Sequence, residues 1–150
     1  MSYVLEPEVA GGWGPGTDAD TSVHPPLVRR LVYHFEDWLG DDLLETFPCF
    51  VVTTRLAEAI RKSQLTGYSL EPIAITTSEH FVERNPRCTL PDFHILRAHG
   101  EGGDFWVGED YRLIVSDAAF DLLSNFSLKH CMIDKLPPDV KDGHNQSVAP

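Results

Sequence analysis

The sequence predicts an α+β fold, a mixed β-sheet of about five or six strands with two or three helices on one face, built around two strand–helix–strand units. Two observations lead there. One is an internal repeat at an offset of 63 residues: Phe50, Val51, Val52 and Thr53 lead a short helical pattern, as Leu113, Ile114, Val115 and Ser116 do. Aligned without a gap, Leu56, Ala59, Ile60 and Ser63 fall on Ala119, Leu122, Leu123 and Phe126. Leu65, Leu70, Glu71 and Ile73 then fall on Leu128, Ile133, Asp134 and Leu136. Each unit reads as an apolar strand, a hydroxyl N-cap, one amphipathic helix and a second strand. The other observation is a set of short apolar runs separated by glycine and proline, the spacing of strands and turns. At 150 residues the chain is one domain, assigned to residues 1–136, long enough to bury a core without staples.

Taken in order, residues 1–6 alternate as a short strand. Residues 7–26 hold four of the eleven glycines and four of the eleven prolines, a composition that argues against regular structure. Such a segment is a packed loop or a flexible arm, and Trp13 and Val23 favour a long loop packed on the domain with Trp13 as its anchor. Residues 31–35 form a strand, and residues 38–44 a turn into a short helix, with Asp41 or Asp42 near its N-terminus where the helix dipole favours an anion. Pro48 stops that helix and residues 50–52 open the first unit. Thr53 caps the unit's helix, Gly67 follows the helix end where a left-handed residue is commonly needed, and Pro72 marks the next strand as an edge or a bulge. Residues 76–85 are a polar turn with room for one helical turn. Residues 93–98 form a strand, 99–104 a tight glycine-rich turn, and 105–107 return beside that strand as a hairpin. The second unit occupies 112–136, and the polar stretch 137–150 reads as a disordered tail.

The net charge of −11 is the compositional outlier. It argues against direct nucleic-acid binding, which depends on cationic neutralisation of phosphates. Three cysteines without a CxxC pair, Cys49, Cys88 and Cys131, fit a reducing cytoplasm better than a disulfide framework. The stretch MSYVLEPEV has neither a basic n-region nor an apolar h-region, and no run reaches the ~18 apolar residues of a membrane helix. The expected location is the cytoplasm.

Catalytic patterns are scarce. The seven histidines form no HExxH, HxH or zinc spacing, so no metal or cofactor is expected. The glycine-rich residues 11–16 lack the GK[ST] ending of a phosphate loop and a nearby base. Cys49 and Cys131 sit in apolar strands where a thiol packs and stays inert, while Cys88 beside Arg87 lacks a histidine partner.

Charge placement carries more. Glu36, Asp37, Asp41, Asp42 and Glu45 share one ten-residue window, and Glu101, Asp104, Glu109 and Asp110 another; these hold nine of the 23 acids and none of the twelve Lys or Arg. Trp38 lies inside the first window and Trp106 inside the second. Two readings fit: solvated acidic loops anchored by core aromatics, or an acidic face with aromatic centres that steers and binds a basic partner. The second makes Trp38, Asp41, Asp42, Glu45, Asp104, Trp106, Glu109 and Asp110 the candidate partner-binding residues.

Three stretches carry a resemblance: PEVAGG with VHPP, WLGDDLLETFPCFVVT with LTG, and LP-F followed by RLIVSDAAFDLL. Over roughly residues 3–136 the chain resembles small bacterial proteins grouped near the immunity proteins of polymorphic toxin systems. That resemblance implies stoichiometric inhibition of a toxin instead of catalysis, with no matched residues to carry over; the charge then makes the expected partner a cognate basic toxin domain whose active site the acidic face occludes. The alternative is a small-ligand-binding protein or enzyme with a pocket under the N-terminal loop near Trp38.

Overall fold

The elements run β1 (Ser2–Glu6), β2 (Gly11–Trp13), β3 (Asp18–Asp20), β4 (Leu27–Arg30), β5 (Val32–Phe35), β6 (Leu43–Thr46), β7 (Cys49–Thr53), α1 (Thr54–Lys62), β8 (Tyr68–Pro72), β9 (Ala74–Thr77), α2 (Glu79–Arg84), β10 (Phe93–Ala98), β11 (Phe105–Val107), β12 (Leu113–Ser116), α3 (Asp117–Leu123) and β13 (Met132–Leu136) in the computed structural model, which describes residues 1–100 and 102–137. The fold is α+β and predominantly sheet. In place of one sheet of five or six strands there are two four-stranded sheets, ordered β6-β7-β10-β8 and β11-β12-β1-β13, with a three-stranded sheet β2-β5-β9 and the pair β3-β4. Both four-stranded sheets are antiparallel, and parallel pairing occurs between β5 and β9.

The repeat is visible as structure. In each four-stranded sheet a hairpin leads into a helix, and the chain then crosses to the far side of a central strand. That central strand is β10 in the first unit and β1 in the second. Leu96 of β10 lies between Phe50 and Leu70; Leu5 of β1 lies between Leu113 and Ile133. Ile95 lies between Val51 and Glu71, and Val4 between Ile114 and Asp134. Every flanking pair differs by 63, so the two registers coincide on both sides of the central strand. The chain is thus a duplicated unit in which the second copy is closed by a strand from the other end of the sequence. The match slips at one place. Leu43 pairs with Val52 where Phe105 pairs with Val115, an offset of 62 in the first arm, so the turn from β11 to β12 holds one residue more than the turn from β6 to β7.

The helices start as their caps predict. Thr53 Oγ1 accepts from Leu56 N–H, Ser116 Oγ from Ala119 N–H, and Ser78 Oγ from Phe81 N–H, each meeting one of the donors a helix start leaves unpaired. α1 lies over β7 and β10, α3 over β12 and β1, and the two helices touch. Leu56 and Ile60 with their counterparts Ala119 and Leu123 are fully buried, whereas Leu122 and Phe126 are half-buried. Side chains alternate across β7: Phe50 and Val52 enter one core with Leu5, Phe105 and Leu113, while Cys49 and Val51 enter a second with Tyr33, Phe35, Phe81 and Phe93. Burial on both faces accounts for the unbroken apolar run CFVV.

Three local expectations are overturned. Residues 38–44 do not enter a helix. After Gly40, at φ +101°, the chain becomes strand β6, because Leu43 enters the first core and Leu44 the second, and only an extended backbone sends neighbours to opposite sides. Residues 105–107 pair with β12 and not with β10. The intervening turn crosses the loop after α1 so closely that a Cβ on Gly103 would stand 2.6 Å from the Cα of Gly67. Gly67 is left-handed as expected, at φ +85°, but it serves this backbone crossing and not the helix end, which Ser63 closes four residues earlier. The third is the long loop: residues 7–26 contain β2 and β3, with Trp13 half-buried against the second core. Pro72 ends β8, an edge strand, as its missing donor requires. The expected tail falls largely on residues 138–150, outside the described residues.

Candidate functional site

Part of each acidic window is spent on contacts inside the fold. Asp42 is 1% exposed. Its Oδ1 accepts from Thr53 Oγ1 and Arg55 Nε, and its Oδ2 from Arg55 Nη2 at 2.6 Å and Ser127 N at 2.8 Å. Burial pushes this carboxyl up, but Arg55, Thr53 and Ser127 outweigh it and hold the pKa below the usual value. Asp104 is its counterpart at the offset of 62. Its Oδ1 accepts from Ser116 Oγ at 2.6 Å and its Oδ2 from Thr66 N at 2.8 Å. The backbones repeat the pattern, Asp42 N donating to Ser127 O and Asp104 N to Thr66 O. Each aspartate therefore ties its own unit's N-cap hydroxyl to the loop after the other unit's helix, a reciprocal clasp between the two halves.

Asp41 is wholly buried, its Oδ2 accepting from His130 N at 2.8 Å and its Oδ1 from Ser127 Oγ at 3.3 Å. The reading of Asp41 and Asp42 as partner-facing is corrected by this burial, since neither carboxylate reaches the surface. Trp38 is half-buried, donating Nε1–H to Asp41 O at 3.0 Å and setting its ring edge-on to Phe93 at 5.9 Å, so it anchors the second core. Glu45 is half-buried, its carboxyl pushed up by burial and by Glu6. Trp106 is half-buried on β11. Glu109 and Asp110 are exposed in the turn that follows, where Asp110 accepts from Arg112 Nε.

The same turn leads to a site that charge placement did not mark. The turns of residues 47–48 and 109–111 occupy equivalent places in the two units, and they meet: the rings of Phe47 and Tyr111 are 5.9 Å apart, edge to face. His24 joins them, 6.1 Å from Phe47 and 5.6 Å from Tyr111. Tyr111 has φ +66°, a left-handed conformation that costs a non-glycine residue about 1–2 kcal/mol. It lies in the turn that carries the extra residue. Beside this cluster opens a cleft of about 360 Å³, walled by Pro25, Pro26, Leu27 and Val28 of the arm, Pro48, Cys49 and Phe50 of the first hairpin, residues 95–99, and Val107 and Tyr111 of the second unit. Leu27 and Val107 line it, and Phe47, on the ring of Tyr111, stands beside it, all three 39–53% exposed. Among the described residues no Asp or Glu lines the cleft, although the chain has 23 of them. Its charged lining residue is Arg97, which stands 3.9 Å from Glu71 and donates to Arg29 O at 3.3 Å. Burial pushes the Cys49 thiol up to about 11 despite Arg97, so it is protonated and unreactive near neutrality.

This cleft lies under residues 25–28, and Trp38 does not line it. Two histidines meet hydroxyls elsewhere. Thr54 Oγ1 lies 3.2 Å from His94 Nδ1 and Thr76 Oγ1 lies 2.7 Å from His34 Nδ1, ties between α1 and β10 and between β5 and β9. Among the described residues no group of three or more His, Cys, Asp or Glu is placed to hold a metal ion, and no helix is long and apolar enough to cross a membrane. Against known proteins, the chain matches no family model, no curated protein and no solved structure.

Proposed function

We propose that this chain is a non-enzymatic cytoplasmic binding protein of the immunity type, which inhibits a toxin domain by stoichiometric contact, and that the contact surface is the aromatic-rimmed cleft. One observation carries the reading. Two symmetry-related turns converge on an exposed aromatic cluster, and the turn that breaks the repeat holds a strained tyrosine there. Strain persists where the surroundings over-determine it, and such positions concentrate at binding sites. An exposed apolar rim around a cleft, with Tyr and Phe at its edge, has the composition of an interface hot spot. The net charge of −11 would still draw a basic partner from a distance, with the cleft making the contact once it arrives. The cysteines described as free, Cys49, Cys88 and Cys131, accord with a reducing compartment.

The test is co-expression with the product of the neighbouring reading frame in a bacterial host. That product should arrest growth alone and be neutralised at equal amounts of this chain. Phe47→Ala combined with Tyr111→Gly should abolish protection while the protein stays folded. A harmless neighbour, or full protection by the double variant, would overturn the reading. A second reading, small-ligand binding, is favoured by the cleft's volume, which falls within the range of ligand pockets, about 300–1,000 Å³. A small molecule retained in native mass spectrometry of the purified chain would select it.

A further inference from the structure

The duplication supplies an internal comparison for the cleft. Extending the shared register by one residue places Arg97 of the first unit where Glu6 stands in the second, and Cys49 where Arg112 stands. In the second unit these positions close on each other, with Arg112 Nη1 donating to Glu6 Oε2 at 3.1 Å. In the first unit the charge on the central strand is reversed, and the facing position holds a small thiol instead of a long side chain. The ion pair that fills the second unit is therefore missing from the first, and the cleft occupies that ground, with Arg97 and Cys49 both lining it. Among the described residues Arg97 is held at its margins, by a carbonyl at 3.3 Å and by a mostly exposed Glu71 carboxylate at 3.9 Å. A guanidinium on an apolar wall, in a cleft lined by no Asp or Glu among the described residues, is complementary to a carboxylate on an apolar carrier.

We infer that the cleft takes an acidic side chain, Asp or Glu, presented beside an apolar residue by a segment of the partner protein, with Arg97 receiving its carboxylate in the place Glu6 and Arg112 fill for themselves in the second unit. The inference rests on the proposed function, because a protein segment is favoured over a small anion by the exposed apolar rim at Leu27, Phe47 and Val107. A free carboxylate would leave that rim in water, whereas a segment covers it.

The experiment is a nuclear magnetic resonance titration of the intact chain with three probes: the blocked tripeptide acetyl-Leu-Glu-Leu-amide, its Gln counterpart acetyl-Leu-Gln-Leu-amide, and sodium acetate. The Glu peptide should shift the amides of Arg97, His99 and Tyr111 with a dissociation constant of about a millimolar, as expected of a short flexible ligand. The Gln peptide should bind about tenfold more weakly or less, the difference a charged hydrogen-bond partner makes. Arg97→Gln should bring the Glu peptide down to the Gln peptide's level. Cys49→Arg with Arg97→Glu copies the second unit's ion pair and should close the cleft to both peptides. Equal binding of the two peptides, or no response at tens of millimolar, would overturn the inference. So would acetate that produces the same shifts at the same affinity as the Glu peptide, since the site would then take a free anion. The titration needs no partner, so failed growth rescue with a positive titration removes the inhibitor reading alone, and rescue with a negative titration removes the acidic anchor alone.

Discussion

Replacing Asp42 by Ala tests whether the buried carboxylate is a structural clasp. Its side chain is 2% exposed and accepts four hydrogen bonds. Truncation leaves the Ser127 N–H and the Thr53 hydroxyl without their acceptor, while Arg55, 68% exposed, turns to water at little cost. Leaving two buried donors unsatisfied costs about 1–3 kcal/mol each, about 2–6 kcal/mol in all. Asp104→Ala removes the same geometry from a more exposed place, with neutral partners at Ser116 and Thr66, and should cost about 1–2 kcal/mol. The assay is equilibrium unfolding in urea. With a slope of roughly 2–3 kcal/mol per molar for a domain of this size, Asp42→Ala should lower the midpoint by about 1–2 M. Equal losses in the two variants would refute the reasoning, because burial and Arg55 are the main differences between the two sites. Acid should reproduce the effect in the parent protein. The folded pKa of Asp42 is depressed, so its contribution is present above the unfolded value of about 3.9 and is lost as pH falls through the folded value. Asp42→Asn should flatten the stability curve in that acid limb.

Tyr111→Gly relieves the left-handed backbone at the expense of one ring contact each with His24 and Phe47, and should leave stability unchanged or raise it by up to about 1 kcal/mol. Its binding of the partner should fall nonetheless, and a clear loss of thermal stability would contradict the strain. Glu45 is pushed the other way, its carboxyl raised by burial and Glu6, so its contribution is fully present below the unfolded value of about 4.3 and is lost as pH rises through the folded one. Glu45→Gln should therefore unfold at higher denaturant than the parent at pH 7 and lose that advantage near pH 4, whereas an advantage equal at both pH values would sink the argument.

The repeat was legible in the sequence because both copies keep a hydroxyl cap and apolar residues at helical spacing, and Leu56, Ile60 and Leu123 are buried where that spacing puts them. Strand β6 was not, because an adjacent Leu pair after two aspartates resembles a helix start until the two cores that receive Leu43 and Leu44 are known. The charge windows misled for a related reason. The partners of Asp42 and Asp104 include Ser127 and Thr66, 85 and 38 residues away, and composition carries no trace of contacts at that distance. Arg97 looked like any strand-end arginine, because its correspondence with Glu6 exists only once β1 is seen to stand in for the strand the second copy lacks. The turn before Tyr111 did leave a signal, one residue too many relative to the other copy, but reading it required the hairpin registers.

That borrowed strand also sets an order of events at the ribosome. The first unit's four strands lie within one stretch, Leu43–Thr46 to Phe93–Ala98, and can pair as soon as that stretch has emerged. β1 is synthesised more than a hundred residues before Leu113–Ser116 and Met132–Leu136, the strands on either side of it. At about 5–20 residues per second, a nascent chain carries Val4 and Leu5 unpaired for on the order of ten seconds while its neighbour is already assembled. Those two residues, buried at the end, are for that interval an exposed apolar tag, open to a chaperone or to the same strand on an adjacent nascent chain.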